Sequence, residues 1–89
     1  MKTTIITRHK VGNIDTWLKG HQDRLDIFKT AISDIKTFQD ADDPNSVAMI
    51  IEVTDMDKFH AILKDPSTET FKNKHTVLDP ITLSMPVKV

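Results

Sequence analysis

The segment Val47–Val53, with the sequence VAMIIEV, constrains the fold more than any other part of the chain. In an extended chain successive side chains point to opposite faces, so Val47, Met49, Ile51 and Val53 form one apolar face, and Ala48 and Ile50 make the other apolar as well. A nearly continuous apolar run of this length is typical of a strand that is buried on both faces. The sequence therefore predicts a central strand in a sheet that needs cover on each side.

Hydrophobic periodicity predicts the other elements around this strand. A strand over Thr3–Val11 ends at Gly12, and Asn13 is positioned as the N-cap of a helix with Asp15 in its first turn. Three- and four-residue steps then predict one helical stripe, made of Ile14, Trp17, Leu18, His21, Leu25, Phe28 and Ile32. A short strand is predicted over Asp34–Gln39.

The second half of the chain repeats this alternation of helix and strand. A helix is predicted over Thr54–Lys64, with Thr54-x-x-Asp57 as a capping box, and Asp65-Pro66 ends it. Ser67 is predicted to cap a short helix through Phe71. Asp79-Pro80 then introduces a last strand whose apolar residues alternate with polar ones, namely Ile81, Leu83, Met85, Val87 and Val89. Pro86 cannot donate to a ladder, which predicts an edge position for this strand.

The resulting order, β-α-β-β-α-β, predicts an α+β fold over residues 1–89. It is the ferredoxin-like arrangement, in which a four-stranded antiparallel sheet carries its helices on one face. The chain of 89 residues fits one domain with a thin core.

The stretch Asp40–Ser46, DADDPNS, packs three carboxylates between the second and third strands. As a calcium loop it fails, because a proline, an asparagine and an isoleucine occupy the fifth, sixth and twelfth positions. As a hairpin connection each residue has a role: Pro44 fixes its own φ and holds Asp43 extended, and Asn45 tolerates the bend. We therefore predict a turn and no metal site here.

Composition excludes several classes of function. A formal net charge of −1 and a pI near 6.4 leave no basic stripe, which argues against nucleic acid or an anionic membrane as a partner. The absence of cysteine excludes disulfides and thiolate chemistry. Without an apolar leader or a run of membrane-spanning length, we expect a cytoplasmic protein.

The second face of the predicted sheet implies a partner. Two helices cover only one face, so Ala48 and Ile50 would be left on an exposed apolar patch. A second copy of the chain is the expected cover, which predicts a homodimer with its sheets face to face.

The chain resembles the dimeric α/β-barrel superfamily, which includes the cofactor-free antibiotic-biosynthesis monooxygenases and muconolactone-isomerase-like enzymes. The resemblance spans nearly the whole chain and rests on the helix opening NIDTWLKGH, the hairpin DADDPNSVAMIIEVTD, the segment KDPSTETFK and a terminal strand. It implies a dimeric α/β barrel, without cofactor, that is monooxygenase-like or isomerase-like.

His21 and His60 are the predicted catalytic candidates, because each falls on the apolar stripe of its helix and both stripes face the sheet. A histidine there can act as a base or as a hydrogen-bond donor. Trp17, one turn before His21, would supply a flat wall for a ring-shaped ligand. The alternative is that both histidines sit at the core boundary and that Trp17 only fills the core.

Arg8 and His9 lie late in the first strand, so one of them faces the helices and the other the dimer side. Arg8 could hold a carboxylate in bidentate fashion, and solvation of both residues beyond the last ladder bond is the alternative. His75, in a polar stretch with Lys72 and Lys74, is interpreted as a surface residue. No histidine spacing typical of metal sites and no glycine-rich phosphate loop occurs, which predicts neither metal nor cofactor.

Two hypotheses follow. In the first, the protein is a dimer that binds a small, partly apolar molecule between helices and sheet near Trp17, His21 and His60, with Arg8 or His9 contributing. In the second, it is a non-catalytic structural or interaction homodimer in which these side chains only fill the core. The fold alone does not decide between them.

Overall fold

The computed structural model describes residues 2–88, which form four strands and four helices. In chain order they are β1 (Thr3–Val11), α1 (Ile14–Lys19), α2 (His21–Phe28), β2 (Ile32–Gln39), β3 (Ser46–Val53), α3 (Met56–Lys64), α4 (Pro66–Lys74) and β4 (Val77–Ser84). The strands form one antiparallel sheet in the order β2-β3-β1-β4. The predicted ferredoxin-like arrangement is confirmed.

The first helical region is divided, where the sequence predicted one continuous stripe from Ile14 to Ile32. Asn13 caps α1 as predicted, since its Oδ1 accepts from the Thr16 N–H at 3.0 Å. At Gly20 the helix tightens, with the Gly20 N–H bonded to the Trp17 carbonyl at 3.0 Å, and α2 begins at the next residue. Ile32 opens β2 and is not helical. A four-residue step cannot distinguish a helix position from the first inward residue of the next strand.

Carboxylates cap the helices of the second half, where the sequence predicted hydroxyl caps. Asp55, not Thr54, is the N-cap of α3, and its Oδ1 accepts from the Lys58 N–H at 3.1 Å. Asp65, not Ser67, caps α4 by accepting from the Ser67 N–H at 2.8 Å. Pro66 takes the first helical position, which suits its missing N–H. The predicted capping residues were therefore wrong, by one residue at α3 and two at α4.

The loop between β2 and β3 is a hairpin connection, as predicted. One Asp40 oxygen accepts from the N–H groups of Asp42 (2.8 Å) and Asp43 (3.0 Å), and these bonds lower the pKa of Asp40. The Asp43 carboxylate accepts from the Asn45 N–H at 3.0 Å and pairs with the Lys10 ammonium, and the Lys10 bond is the main reason that its pKa is lowered. Two of the three carboxylates in this stretch thus hold the turn together.

The last strand starts and ends earlier than predicted. It covers Val77–Ser84, so Met85–Lys88 lie beyond it, and Val89 falls outside the described residues. The edge position is confirmed, because β4 pairs only with β1. Pro80, which follows a cis peptide bond, lies where the β1–β4 register shifts opposite His9, and a proline fits there because that position needs no ladder donor.

The two faces of the sheet differ as β3 predicted. Ile5 and Val11 of β1 and alternate residues of β3 are buried under the helices, where Trp17 and Phe59 complete the core. The opposite face, called here the open face, presents Ile6, Arg8, Phe38, Ala48 and Ile50. All four helices therefore lie on one side of the sheet, and nothing in residues 2–88 covers the open face.

Candidate functional site

A cavity of about 60 Å³ lies between the sheet and the helices. The residues that give it shape and chemistry are Thr7 and His9 of β1, Trp17 of α1, Arg24 and Phe28 of α2, and Phe71 of α4. We call it the helix–sheet cavity. Its lining residues include no aspartate or glutamate.

Trp17 forms a wall of this cavity and is 0% exposed. Trp17 also belongs to the hydrophobic core, so its two predicted roles, lining a ligand site and filling the core, are compatible. Its indole N–H is buried and has no hydrogen-bond partner among residues 2–88. The same holds for the hydroxyl of Thr7, which also lines the cavity. Buried donors are normally paired, so both groups favour a bound acceptor.

Arg24 is the cavity residue that the sequence analysis missed. It is 3% exposed, and its guanidinium carbon lies 4.2 Å from the centroid of the Trp17 ring. None of its three side-chain nitrogens has a partner within the described chain. Burial lowers the pKa of Arg24 to about 10, which still leaves the group charged at neutral pH. Arg24 is therefore a buried cation beside an apolar cavity, and its guanidinium has no hydrogen-bond partner in residues 2–88, although the charge of Asp23 favours its charged form.

His9 faces the helices, and Arg8 lies on the open face. The His9 ring is 6% exposed and meets Trp17 edge to face, with 5.6 Å between ring centroids. Its Nδ1 is 3.0 Å from the Lys10 carbonyl oxygen. A carbonyl only accepts, so Nδ1 carries the proton and Nε2 is the acceptor of a neutral ring. Burial lowers the pKa of His9 and outweighs the hydrogen bond to the Lys10 carbonyl, which raises it, so the neutral ring is favoured at neutral pH.

The predicted placement of His21 and His60 in one pocket is wrong. Both side chains are exposed, and neither lines the helix–sheet cavity. The turn at Gly20 shifts the inward positions of α2, so that Arg24 and Phe28 face the sheet and His21 points outward. In α3, Phe59 is the inward residue, and the exposed His60 ring beside it meets the Phe59 ring edge to face, at 6.2 Å between centroids.

His75 was predicted at the surface and is instead 4% exposed. Its Nδ1 lies 3.1 Å from the Phe71 carbonyl oxygen, and its Nε2 lies 3.4 Å from a carboxylate oxygen of Asp23. A Cβ added to Gly20 would come within 2.4 Å of the His75 ring. The residues next to His75 in the sequence are polar and predicted exposure. Its burial depends on Gly20, which has no side chain and so leaves room for the His75 ring.

The open face carries a second, shallower depression of about 280 Å³. It is lined by Ile6, Arg8, Phe38, Ala48 and Ile50 together with part of the hairpin loop. Arg8 is exposed there, whereas His9, the next residue, is buried under the helices. The two predicted ligand-binding residues of β1 therefore lie on opposite faces of the sheet.

Two kinds of feature are not found in the described chain. No three His, Asp or Glu side chains within residues 2–88 are grouped so that they could hold a metal ion. None of the helices described above is long and apolar enough to cross a membrane.

Comparison with solved structures confirms the fold. SnoaB, a cofactor-independent oxygenase from Streptomyces nogalater, matches with a TM-score of 0.73 at 16% identity, over 99% of this chain and 95% of SnoaB. A proposed antibiotic biosynthesis monooxygenase from Bordetella bronchiseptica matches with a TM-score of 0.76 at 12% identity, over 99% of this chain and 97% of the other. No protein-family model and no curated protein matches the sequence. The chain thus has the fold of the antibiotic-biosynthesis-monooxygenase structures, as the resemblance implied.

Proposed function

We propose that this protein binds a small, planar, partly apolar molecule in the helix–sheet cavity. The observation that carries this proposal is the combination of a buried Trp17 wall with three polar side chains that line the same apolar cavity, those of Thr7, His9 and Arg24. A mostly apolar cleft with a few convergent polar groups is the usual form of a small-molecule site.

Ligand entry requires the cavity to widen. A volume of 60 Å³ corresponds to about two water molecules, whereas an apolar cavity known to bind benzene has about 150 Å³. Phe71 and Lys72 of α4 and Ile81 of β4 line the cavity and are only half-buried. We expect these side chains to move outward and admit the ring, since the buried wall on the other side is fixed by core packing.

The chemistry that fits these residues is proton removal from a carbon beside a carbonyl or from a ring hydroxyl. Neutral His9 would accept the proton at Nε2, and Arg24 would stabilise the enolate or phenolate that forms. In an isomerase-like reaction the proton returns at another carbon. In a cofactor-free monooxygenase-like reaction the substrate anion reduces O₂. One oxygen atom then converts a CH₂ group into a carbonyl, and the other leaves as water with the two hydrogens.

A thermal-shift screen of small aromatic ketones, phenols and carboxylates tests this proposal. A ligand at a hundred times its dissociation constant stabilises by about 2.7 kcal/mol, which in so small a domain raises the melting temperature by roughly 10 °C or more. For a hit, we expect His9→Gln to keep binding and to lose turnover. His21→Leu is the matched control and should change neither, because His21 is exposed.

A screen in which no compound shifts the melting temperature would refute ligand binding. It would favour the second candidate, a non-catalytic structural or interaction homodimer. Two observations favour this candidate. The cavity is small, and Trp17 is already fully buried without a ligand.

We also propose that two copies associate through their open faces. Phe38 is 49% exposed there, and Ile6, Ala48 and Ile50 are half-buried without any cover from the chain itself. Such a contiguous apolar patch is characteristic of an interface.

The dimer is tested by light scattering of wild type and of Ile50→Glu at micromolar concentration. We expect wild type at twice the chain mass of 10.1 kDa and the variant near a single chain. His60→Glu adds the same charge on the helix side and should leave the dimer intact. A wild-type mass of one chain would refute the proposal.

A further inference from the structure

We propose that the molecule bound in the helix–sheet cavity carries an oxyanion, a carboxylate or phenolate on a planar ring, and that Arg24 holds it. This inference rests on the proposed function, because it names the chemical class of the ligand for the same cavity. It assigns Arg24 of α2 as the residue that selects charge.

The first argument is that the buried Arg24 guanidinium has no hydrogen-bond partner in the described part of the chain. An isolated charge in an apolar interior is strongly unfavourable unless it is paired or hydrogen-bonded. Asp23 is adjacent in sequence and its charge favours the charged form of Arg24, but its carboxylate is half exposed and lies beside the His75 ring. The face of Trp17 offers the guanidinium a cation–π contact at 4.2 Å, which satisfies none of its five N–H donors. The pairing that the side chain lacks is the one that a bidentate carboxylate provides.

The second argument is the character of the other polar groups around the cavity. The Trp17 indole can only donate, and the Thr7 hydroxyl is also unpaired within the described chain. Lys72 adds a second positive charge to the lining, although it already pairs with Glu69 at 3.3 Å and Asp79 at 2.8 Å. Donors and cations thus outnumber acceptors, so a ligand rich in acceptor oxygens complements the site and an amine does not.

The third argument is the position of Arg24 relative to the ring-binding walls. Phe28 lies on α2, the helix that also holds Arg24, and Trp17 lies on the preceding helix, α1. Both aromatic side chains line the cavity. Because the guanidinium lies over the Trp17 ring, a planar ring packed beside Phe28 would present a substituent oxygen to it. Aromatic stacking and charge recognition therefore come from one stretch of chain, which makes an aromatic oxyanion a better fit than a free inorganic anion.

Benzoate and benzamide provide the test, since they share shape and planarity and differ in charge. Their affinities would be measured by calorimetry for wild type, Arg24→Met and Arg24→Lys, with Lys19→Met as a control that removes an exposed positive charge on α1. We expect wild type and Lys19→Met to bind benzoate at least about tenfold more tightly than benzamide. Arg24→Met should lose that preference while keeping benzamide affinity, and Arg24→Lys should keep part of it.

The outcomes separate this inference from the proposed function. Equal wild-type affinity for the two compounds, or a preference that survives in Arg24→Met, overturns the role of Arg24 and leaves the cavity as a ligand site. Binding of neither compound to wild type overturns both. Should Arg24→Met fail to fold, the wild-type comparison and Arg24→Lys decide the matter, because a lysine keeps the charge and loses the bidentate geometry.

Discussion

Replacing Gly20 with alanine should destabilise the protein, because the side chain of His75 occupies the space that a Cβ would need. The added carbon would lie 2.4 Å from Cδ2, 2.8 Å from Nε2 and 2.9 Å from Cγ of the His75 ring. All three distances are shorter than non-bonded contacts allow. The backbone at Gly20 is not the obstacle, since its φ of −83° is accessible to any residue.

The cost follows from how firmly the His75 ring is held. Its two nitrogens contact the Phe71 carbonyl and the Asp23 carboxylate, and its ring centroid lies 4.3 Å from that of Phe71. Overpacking of a buried site typically costs about 1–3 kcal/mol. The better helix propensity of alanine returns at most about 1 kcal/mol. The net loss should be roughly 1–2 kcal/mol, at about 4–8 °C of melting temperature for each kcal/mol in a domain of this size.

A double-mutant cycle with His75→Ala isolates the clash. Thermal or urea unfolding would be followed for wild type, each single variant and the double variant. With His75 removed, Gly20→Ala should be neutral or slightly stabilising, so the two changes are strongly coupled. A Gly20→Ala protein that melts at or above wild type, or an equal loss in both backgrounds, would refute this account of the Gly20 turn.

Three further predictions concern single residues. His21→Leu and His60→Leu should each change stability by about 0.5 kcal/mol or less in thermal unfolding, since both side chains are exposed; a large loss in either would contradict that placement. Burial lowers the pKa of His9 below its ordinary 6.5. As the pH falls, His9 therefore takes up a proton in the unfolded chain before it does so in the folded protein, and the free energy of unfolding should decrease from pH 7.5 to 5.5. His9→Gln should weaken that pH dependence, and an unchanged slope would count against a buried neutral ring. Asp40→Ala should lower the melting temperature more than Asp40→Asn, which keeps an oxygen for the two loop N–H groups; equal losses would argue against the acceptor role.

The strands of the sheet were predictable because side chains alternate between the two faces of a strand. The apolar run of β3 and the alternation in β4 identified these two strands, and the apolar residues on both faces of β3 predicted the open face. Element boundaries were less predictable. The start of β2 at Ile32 and of α3 after Asp55 depends on which backbone groups are hydrogen-bonded in the folded chain. The sequence alone does not decide this, because Thr54 and Asp55 both carry a side-chain oxygen that can cap a helix.

The site was predictable only where a strict period applied. Alternation along β1 separated Arg8 from His9, although the sequence could not say which faced inward. On the helices the Gly20 turn changed the phase, so His21 was assigned inward and Arg24 was overlooked. The available signal was spacing, because Arg24 lies seven residues after Trp17 and four before Phe28. An arginine at such a position is normally assigned to solvent, and only the packed structure reveals that it is buried.

The most direct measurement of the central claim uses the single tryptophan of the chain as a probe. In a ¹⁵N-labelled sample, the indole N–H resonance of Trp17 would be followed while benzoate is added. If the helix–sheet cavity is a ligand site, this resonance should shift in a saturable way, with the same dissociation constant as calorimetry, because Trp17 lines the cavity and its indole N–H has no hydrogen-bond partner among residues 2–88. An indole resonance that stays in place while benzoate saturates the protein would put the binding site elsewhere and leave Trp17 as a core residue only.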